Sequence, residues 1–114
     1  MKRYWTRLEI QQVLESNNLS AQASYMSREL EGSPDNYIVY YRLPPNESIR
    51  ADDVVHIQKS MIEIIHFHKK KLDSIADLML ENFQVEPSYF DVKQLDTDYF
   101  GTYYQFEILT NSEW

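Results

Sequence analysis

No cysteine occurs in the 114 residues. That removes disulfides, thiolate metal sites and cysteine nucleophiles, and it fits a reducing compartment. Only two glycines and four prolines are present, too few for a glycine-rich phosphate loop or a low-complexity linker. No apolar run is long enough to span a bilayer. The stretch "MKRYWTRLEIQQ" carries positive charge with no apolar run behind it, so the reading expects a soluble chain without a secretory signal. Basic residues are also scarce, 11 against 18 acidic, for a formal net charge of -7. Such a balance disfavours tight binding to a nucleic-acid backbone, which uses a basic patch to release counterions.

What the chain does have is apolar and aromatic content, 43% and 14%. A single domain of this length buries roughly two-thirds of its unfolded surface, enough for a core. Thr6 and Glu9 have the spacing of a capping box, and Ile10, Val13 and Leu14 follow with helical period toward Asn17 and Asn18. Tyr4 and Trp5 stand ready to staple that helix to the rest. Leu19 to Glu31 gives no firm signal and reads as a short strand or a helical turn. "EGSPDN" is a turn, and "YIVYYRL", Tyr37 to Leu43, is a β-branched and aromatic strand suited to the middle of a sheet.

"ADDVVHIQKSMIEIIHFHKK", Ala51 to Lys70, reads as one long bent strand with a bulge or turn at "QKS". A second helix is expected from about Lys70 to Phe83, on the period of Leu72, Ile75, Ala76, Met79, Leu80 and Phe83. The rest reads as a hairpin: "YFDVKQL", a turn at Asp96 to Asp98, then "TYYQFEIL". Tyr104, Phe106 and Ile108 share one face of the last strand, with Thr102, Tyr103, Gln105, Glu107 and Leu109 around the other. The expected fold is α+β, an antiparallel sheet of about four strands with two main helices packed against it.

Candidate chemistry is thin. His66 and His68 lie on one face of a strand, and with His56, Asp73 or Glu63 could suggest zinc, but Glu63 has the wrong parity and no second ligand motif follows. The plainer reading puts both histidines at a strand end, facing solvent or a subunit. The carboxylates Asp52, Asp53, Asp96 and Asp98 sit at turns, where aspartate is favoured for local hydrogen bonding. No cofactor and no enzymatic activity are expected. "HKKKLD" is the only basic run; at a helix start it opposes the macrodipole, which Asp73 and Asp77, an acidic partner or passing DNA would relieve, and the plainer reading is a solvated helix end.

"YIVYYRL" before a proline-bearing loop, "AD" opening the "IEIIHFHKKKLD" run and the closing "DTDYFGTYYQFEIL" together resemble the small neck proteins of long-tailed bacteriophages, of the tail-terminator or tail-completion, head–tail joining type. The resemblance covers Tyr37 to Leu109 and departs from the family pattern at His66 and His68. It implies a non-enzymatic virion protein made in the host bacterial cytoplasm. Such a protein forms a homo-oligomeric ring, commonly a hexamer, that caps the tail tube protein and meets the head–tail connector or head-closure protein. DNA passes through the lumen without sequence-specific contact. On that footing the loop Leu43 to Asp53, with Pro44, Pro45, Asn46, Arg50 and Asp53, is the expected axial contact. Tyr99, Phe100 and Tyr103 are candidates for the ring interface, because tyrosine is enriched in interface cores. Two other readings remain: a small acidic inhibitor that mimics DNA to a nucleic-acid-binding enzyme, and a metal-dependent hydrolase using His66 and His68.

Overall fold

The computed structural model describes residues 4–26, 35–43, 47–51, 54–70, 74–94 and 98–111. In chain order these form α1 (Arg7–Glu15), β1 (Gln22–Tyr25), β2 (Asn36–Arg42), β3 (Glu47–Ala51), β4 (Val54–His68), α2 (Ala76–Phe83), β5 (Ser88–Lys93) and β6 (Phe100–Asn111). The class is α+β. The sheet, however, is mixed and larger than the expected four antiparallel strands: its order is β1-β2-β4-β6-β5, with β3 also paired to β4. The odd pair is β1 with β2, which run parallel; all other ladders are antiparallel.

The capping box forms as its spacing predicts. Thr6 Oγ1 accepts the Glu9 N–H at 3.4 Å, while the Glu9 carboxylate accepts the Thr6 N–H at 3.1 Å, so two orphan donors of α1 are satisfied. Trp5 ties this entry to the sheet: its N–H reaches Leu109 O at 2.9 Å and its ring meets Phe83 edge-on at 4.7 Å. With glycine so scarce, left-handed backbone falls to Ser20, Met26 and Gln84 (φ 59, 58 and 56). The first two bracket β1. Gln84 ends α2, its N–H returning to Leu80 O at 3.1 Å.

Two boundaries differ from expectation. The second helix starts at Ala76 rather than Lys70. Lys69 and Lys70 lie in a bend after β4, so the conflict of lysines with a helix dipole does not arise for them. Tyr104 sets the start instead, its hydroxyl accepting the Ile75 N–H at 3.2 Å. The long strand is real but begins at Val54, where it pairs with Ala51 of β3. "QKS" holds no bulge, because the register with β6 is unbroken from Ile57 to His68; the irregularity lies just before it, where consecutive Ile49 and Arg50 of β3 face Ile57 and Val55 and leave His56 of β4 as the extra residue. At about 3.3 Å per residue, the 15 residues of β4 account for the molecule's 50 Å long dimension.

Alternation divides the sheet into two faces. On one, Ile38, Tyr40, Ile62, Ile64, Tyr104, Phe106 and Ile108 pack with Ile10 and Leu14 of α1 and with Met79 and Phe83 of α2. Fully burying each such aliphatic side chain contributes about 1.5–3 kcal/mol. Thr102 belongs to this face too, 2% exposed, and not to the opposite one where the sequence reading had placed it. On the other face Val39, Ile65 and Phe67 form a smaller cluster under Tyr37, Tyr41, Tyr99 and Tyr103, and no helix among the described residues packs there. No helix among the described residues is long and apolar enough to cross a membrane.

Candidate functional site

Of the residues singled out from sequence, Pro44, Pro45, Asn46 and Asp53 lie outside the described residues. Arg50 falls in β3, its backbone opposite Val55 beside the register shift. Leu43 to Asp53 is therefore not one loop: Glu47–Ala51 pairs with β4 and makes a hairpin arm. The three C-terminal aromatics are all half-buried, but they do not form one surface. Tyr99 and Tyr103 share the helix-free face. Phe100, one step out of phase with both, stacks on His68 at 6.0 Å on the other.

The helix-free face is a patch of touching rings. Tyr37 stacks on Phe67 at 4.7 Å and meets Tyr99 edge-on at 5.4 Å. Lys69 Nζ lies 5.5 Å from the centre of the Tyr99 ring. Phe90 of β5 lies parallel to Tyr103, 5.1 Å apart with 2° between the planes. Such pairs contribute about 0.5–1.5 kcal/mol beyond burial. A Cβ at Gly101, near the start of β6, would come within 3.3 Å of the Tyr103 ring and 2.7 Å of Gln94 Nε2.

The sheet ends in two edges, and they are built differently. Along β1, Met26 N–H reaches Tyr40 O at 3.1 Å. Parallel pairing then turns the backbone groups of Gln22 and Ser24 toward β2, and those of Ala21 and Ala23 outward. Side chains meet them there. Asn17 Oδ1 accepts the Ala21 N–H and Asn17 Nδ2 donates to Ala21 O, both at 3.0 Å. Gln11 Nε2 donates to Ala23 O at 2.7 Å, and Gln11 is oriented by the Tyr40 hydroxyl, which donates to its Oε1. Burial raises the Tyr40 hydroxyl to about 12, so it stays a donor at any physiological pH.

Along β5, every residue is exposed. Gln94 N–H reaches Tyr99 O at 3.0 Å. Alternation from that bonded pair turns the backbone of Phe90 and Val92 toward β6, and that of Tyr89, Asp91 and Lys93 outward. Tyr89, Phe90 and Val92 are 57%, 54% and 41% exposed, with Leu80 of α2 at 52%. Sequence reasoning placed these residues in a hairpin strand but not at an exposed sheet edge. Aromatics at consecutive positions were the available signal, because they leave neither face of the strand polar.

The histidines are not at a solvent-facing strand end; His66 and His68 are 0% and 1% exposed. Their rings stack at 4.7 Å. Asn36 Nδ2 donates to Leu19 O at 3.1 Å, which leaves Asn36 Oδ1 to accept from His66 Nε2–H at 2.8 Å. His66 Nδ1 is then a buried acceptor without a protein partner among the described residues. Burial, with His68 alongside, lowers His66 to about 3. His68 Nδ1 donates to Lys70 O at 2.6 Å, and its Nε2 lies 2.7 Å from Thr102 Oγ1. The Thr102 hydroxyl donates to Asp91 Oδ1 at 2.5 Å, which fastens β5 to the core. No group of three or more His, Asp or Glu side chains able to hold a metal occurs among the described residues. A groove lined by Ser16, Asn17, Asn18, Ser74, Ile75, Asp77, Leu78 and Glu81 brings together hydroxyls, amides and acids; Ser16 Oγ donates to Val13 O at 2.6 Å and Ser74 Oγ lies 3.3 Å from the Tyr104 hydroxyl.

Comparison with protein-family models, with curated proteins and with solved structures returns no match.

Proposed function

We propose that this chain is a neck protein of a long-tailed bacteriophage, of the tail-terminator or tail-completion kind. It works as a ring that ends the tail tube and joins it to the head connector. The observation that carries the reading, beside the resemblance of Tyr37 to Leu109, is the β3–β4 arm. The ladder between β2 and β4 ends at Arg42 and Ile62, yet β4 continues back to Val54 and is paired there with β3. A hairpin carried past the neighbouring strand is stabilised by what it touches, and a ring built on one repeated heterologous contact gives every arm the same neighbour. The charge of -7 per chain fits a lumen that repels DNA and lets it slide. The proposal assigns no catalytic role to any residue.

Light scattering over a range of concentrations, with and without tail-tube protein, tests this. The expected species is a ring of about six copies of the 13.7 kDa chain, formed alone or on the tube. Replacing residues 49–56 by an Asn-Gly turn keeps every helix-covered strand pair and is expected to abolish the ring without unfolding the monomer. A chain that stays monomeric and ignores the tube overturns the reading and favours the acidic inhibitor, which would compete with DNA in a salt-dependent way.

A further inference from the structure

We infer that β5 is a self-association edge, on which a second copy of this chain adds its own β5 antiparallel and joins two sheets into one. The inference goes beyond the neck reading and stands whether or not that reading does, because a two-fold contact closes with two copies and leaves the arm untouched.

The argument starts from the contrast between edges. Exposed strand edges are templates for pairing, and proteins cover the ones that must not pair. Here β1 is partly covered, with Asn17 occupying both outward groups of Ala21 and Gln11 the carbonyl of Ala23. The alternative of joining β5 to the β1 of a neighbour would have to displace these side chains. On β5 the outward backbone belongs to Tyr89, Asp91 and Lys93, and every residue of the strand is exposed.

Charge selects the occupant and the register. Asp91 and Lys93 are alternate residues, so they project on one face with opposite sign. An antiparallel copy centred on Asp91 would set two carboxylates directly opposite, which is unfavourable. Centring on Phe90 leaves both charges without an opposite charge across the contact. Centring on Val92 places each Asp91 opposite the second copy's Lys93, twice over, and places Val92 against its own copy on the other face. The carboxylate of Asp91 uses Oδ1 for Thr102, which holds the side chain in place and leaves its second oxygen for that lysine. The Val92 pair is a non-hydrogen-bonded one, in which side chains approach most closely.

The chain's lack of cysteine makes the test clean. Val92→Cys is expected to form an intermolecular disulfide under mild oxidation about tenfold faster than Ser88→Cys, which lies off the two-fold in this register. Both are exposed positions on an edge strand, and urea unfolding of each reduced variant checks that it folds. Independently, Lys93→Glu is expected to weaken association about tenfold in sedimentation equilibrium, since it sets like charges opposite at two places. Equal oxidation of the two cysteine variants, or association unchanged by Lys93→Glu, overturns the inference. A partner protein's extended segment on β5 would give that second result, together with a wild-type chain that is monomeric alone.

Discussion

The two edges of this sheet lie in one molecule and solve the same problem in opposite ways. At β1 both outward groups of Ala21 are met by Asn17 and the carbonyl of Ala23 by Gln11, so side chains of the same chain occupy the strand's outer side. At β5 the corresponding row faces outward beside Tyr89, Phe90 and Val92. The difference teaches that an edge can be closed by amide side chains from a helix, without a further strand. The edge left open is the one fastened to the core from behind, through Asp91, Thr102 and His68.

The largest effect is expected from breaking the guarded edge. Asn17→Ala removes bonds to Leu14 O, Leu19 N–H and both backbone groups of Ala21. With Ala21 only 4% exposed, the loss should be about 2–4 kcal/mol in urea unfolding. A loss under about 0.5 kcal/mol would mean that Asn17 does not hold this edge.

Acid should reach the guarded edge next, through His66, which is linked by Asn36 to Leu19 O. The folded value near 3 lies below the ordinary 6.5, so the unfolded chain binds the proton more tightly. The stability this contributes is fully present above about pH 6.5 and is lost as pH falls toward about 3, by up to about 1.4 kcal/mol per unit. Urea midpoints between pH 7 and pH 4 should show that slope, and His66→Gln should flatten it. An identical slope in the variant would place the acid sensitivity elsewhere.

Phe90→Ser, at the open edge, should cost the monomer least. It loses one stacked contact with Tyr103, about 0.5–1.5 kcal/mol, measured by the same urea titration at low protein concentration. A cost matching that of Asn17→Ala would erase the distinction between the two edges.

Much of this was legible in the residues. Thr6 and Glu9 give the start of α1, and the alternation of Tyr104, Phe106 and Ile108 gives the buried face of β6, because both patterns depend only on neighbours in the chain. β1 was not legible. "QASY" is four residues without alternation, and what secures it comes from Asn17, Gln11 and a parallel partner. The parity of His66 and His68 was right and their depth wrong, since depth depends on Asn36, Thr102 and Lys70 arriving from elsewhere. For the candidate interface, Tyr99 and Tyr103 fall on the helix-free face while Phe100 turns away, as strand alternation requires. The open edge at β5 was missed because strand order within a sheet is not written in local pattern.

One link bears on how the chain is made. Trp5 hydrogen-bonds Leu109 O and rests on Phe83, and α1 packs on a floor that includes Phe106 and Ile108. During vectorial synthesis the first helix is therefore completed about a hundred residues before its seat exists. Until β6 leaves the ribosome, Ile10 and Leu14 have no full docking surface, and an isolated helix of 9 residues is marginal in water. Nascent chains halted before Phe106 should hold α1 undocked, a natural substrate for chaperones that recognise short apolar stretches.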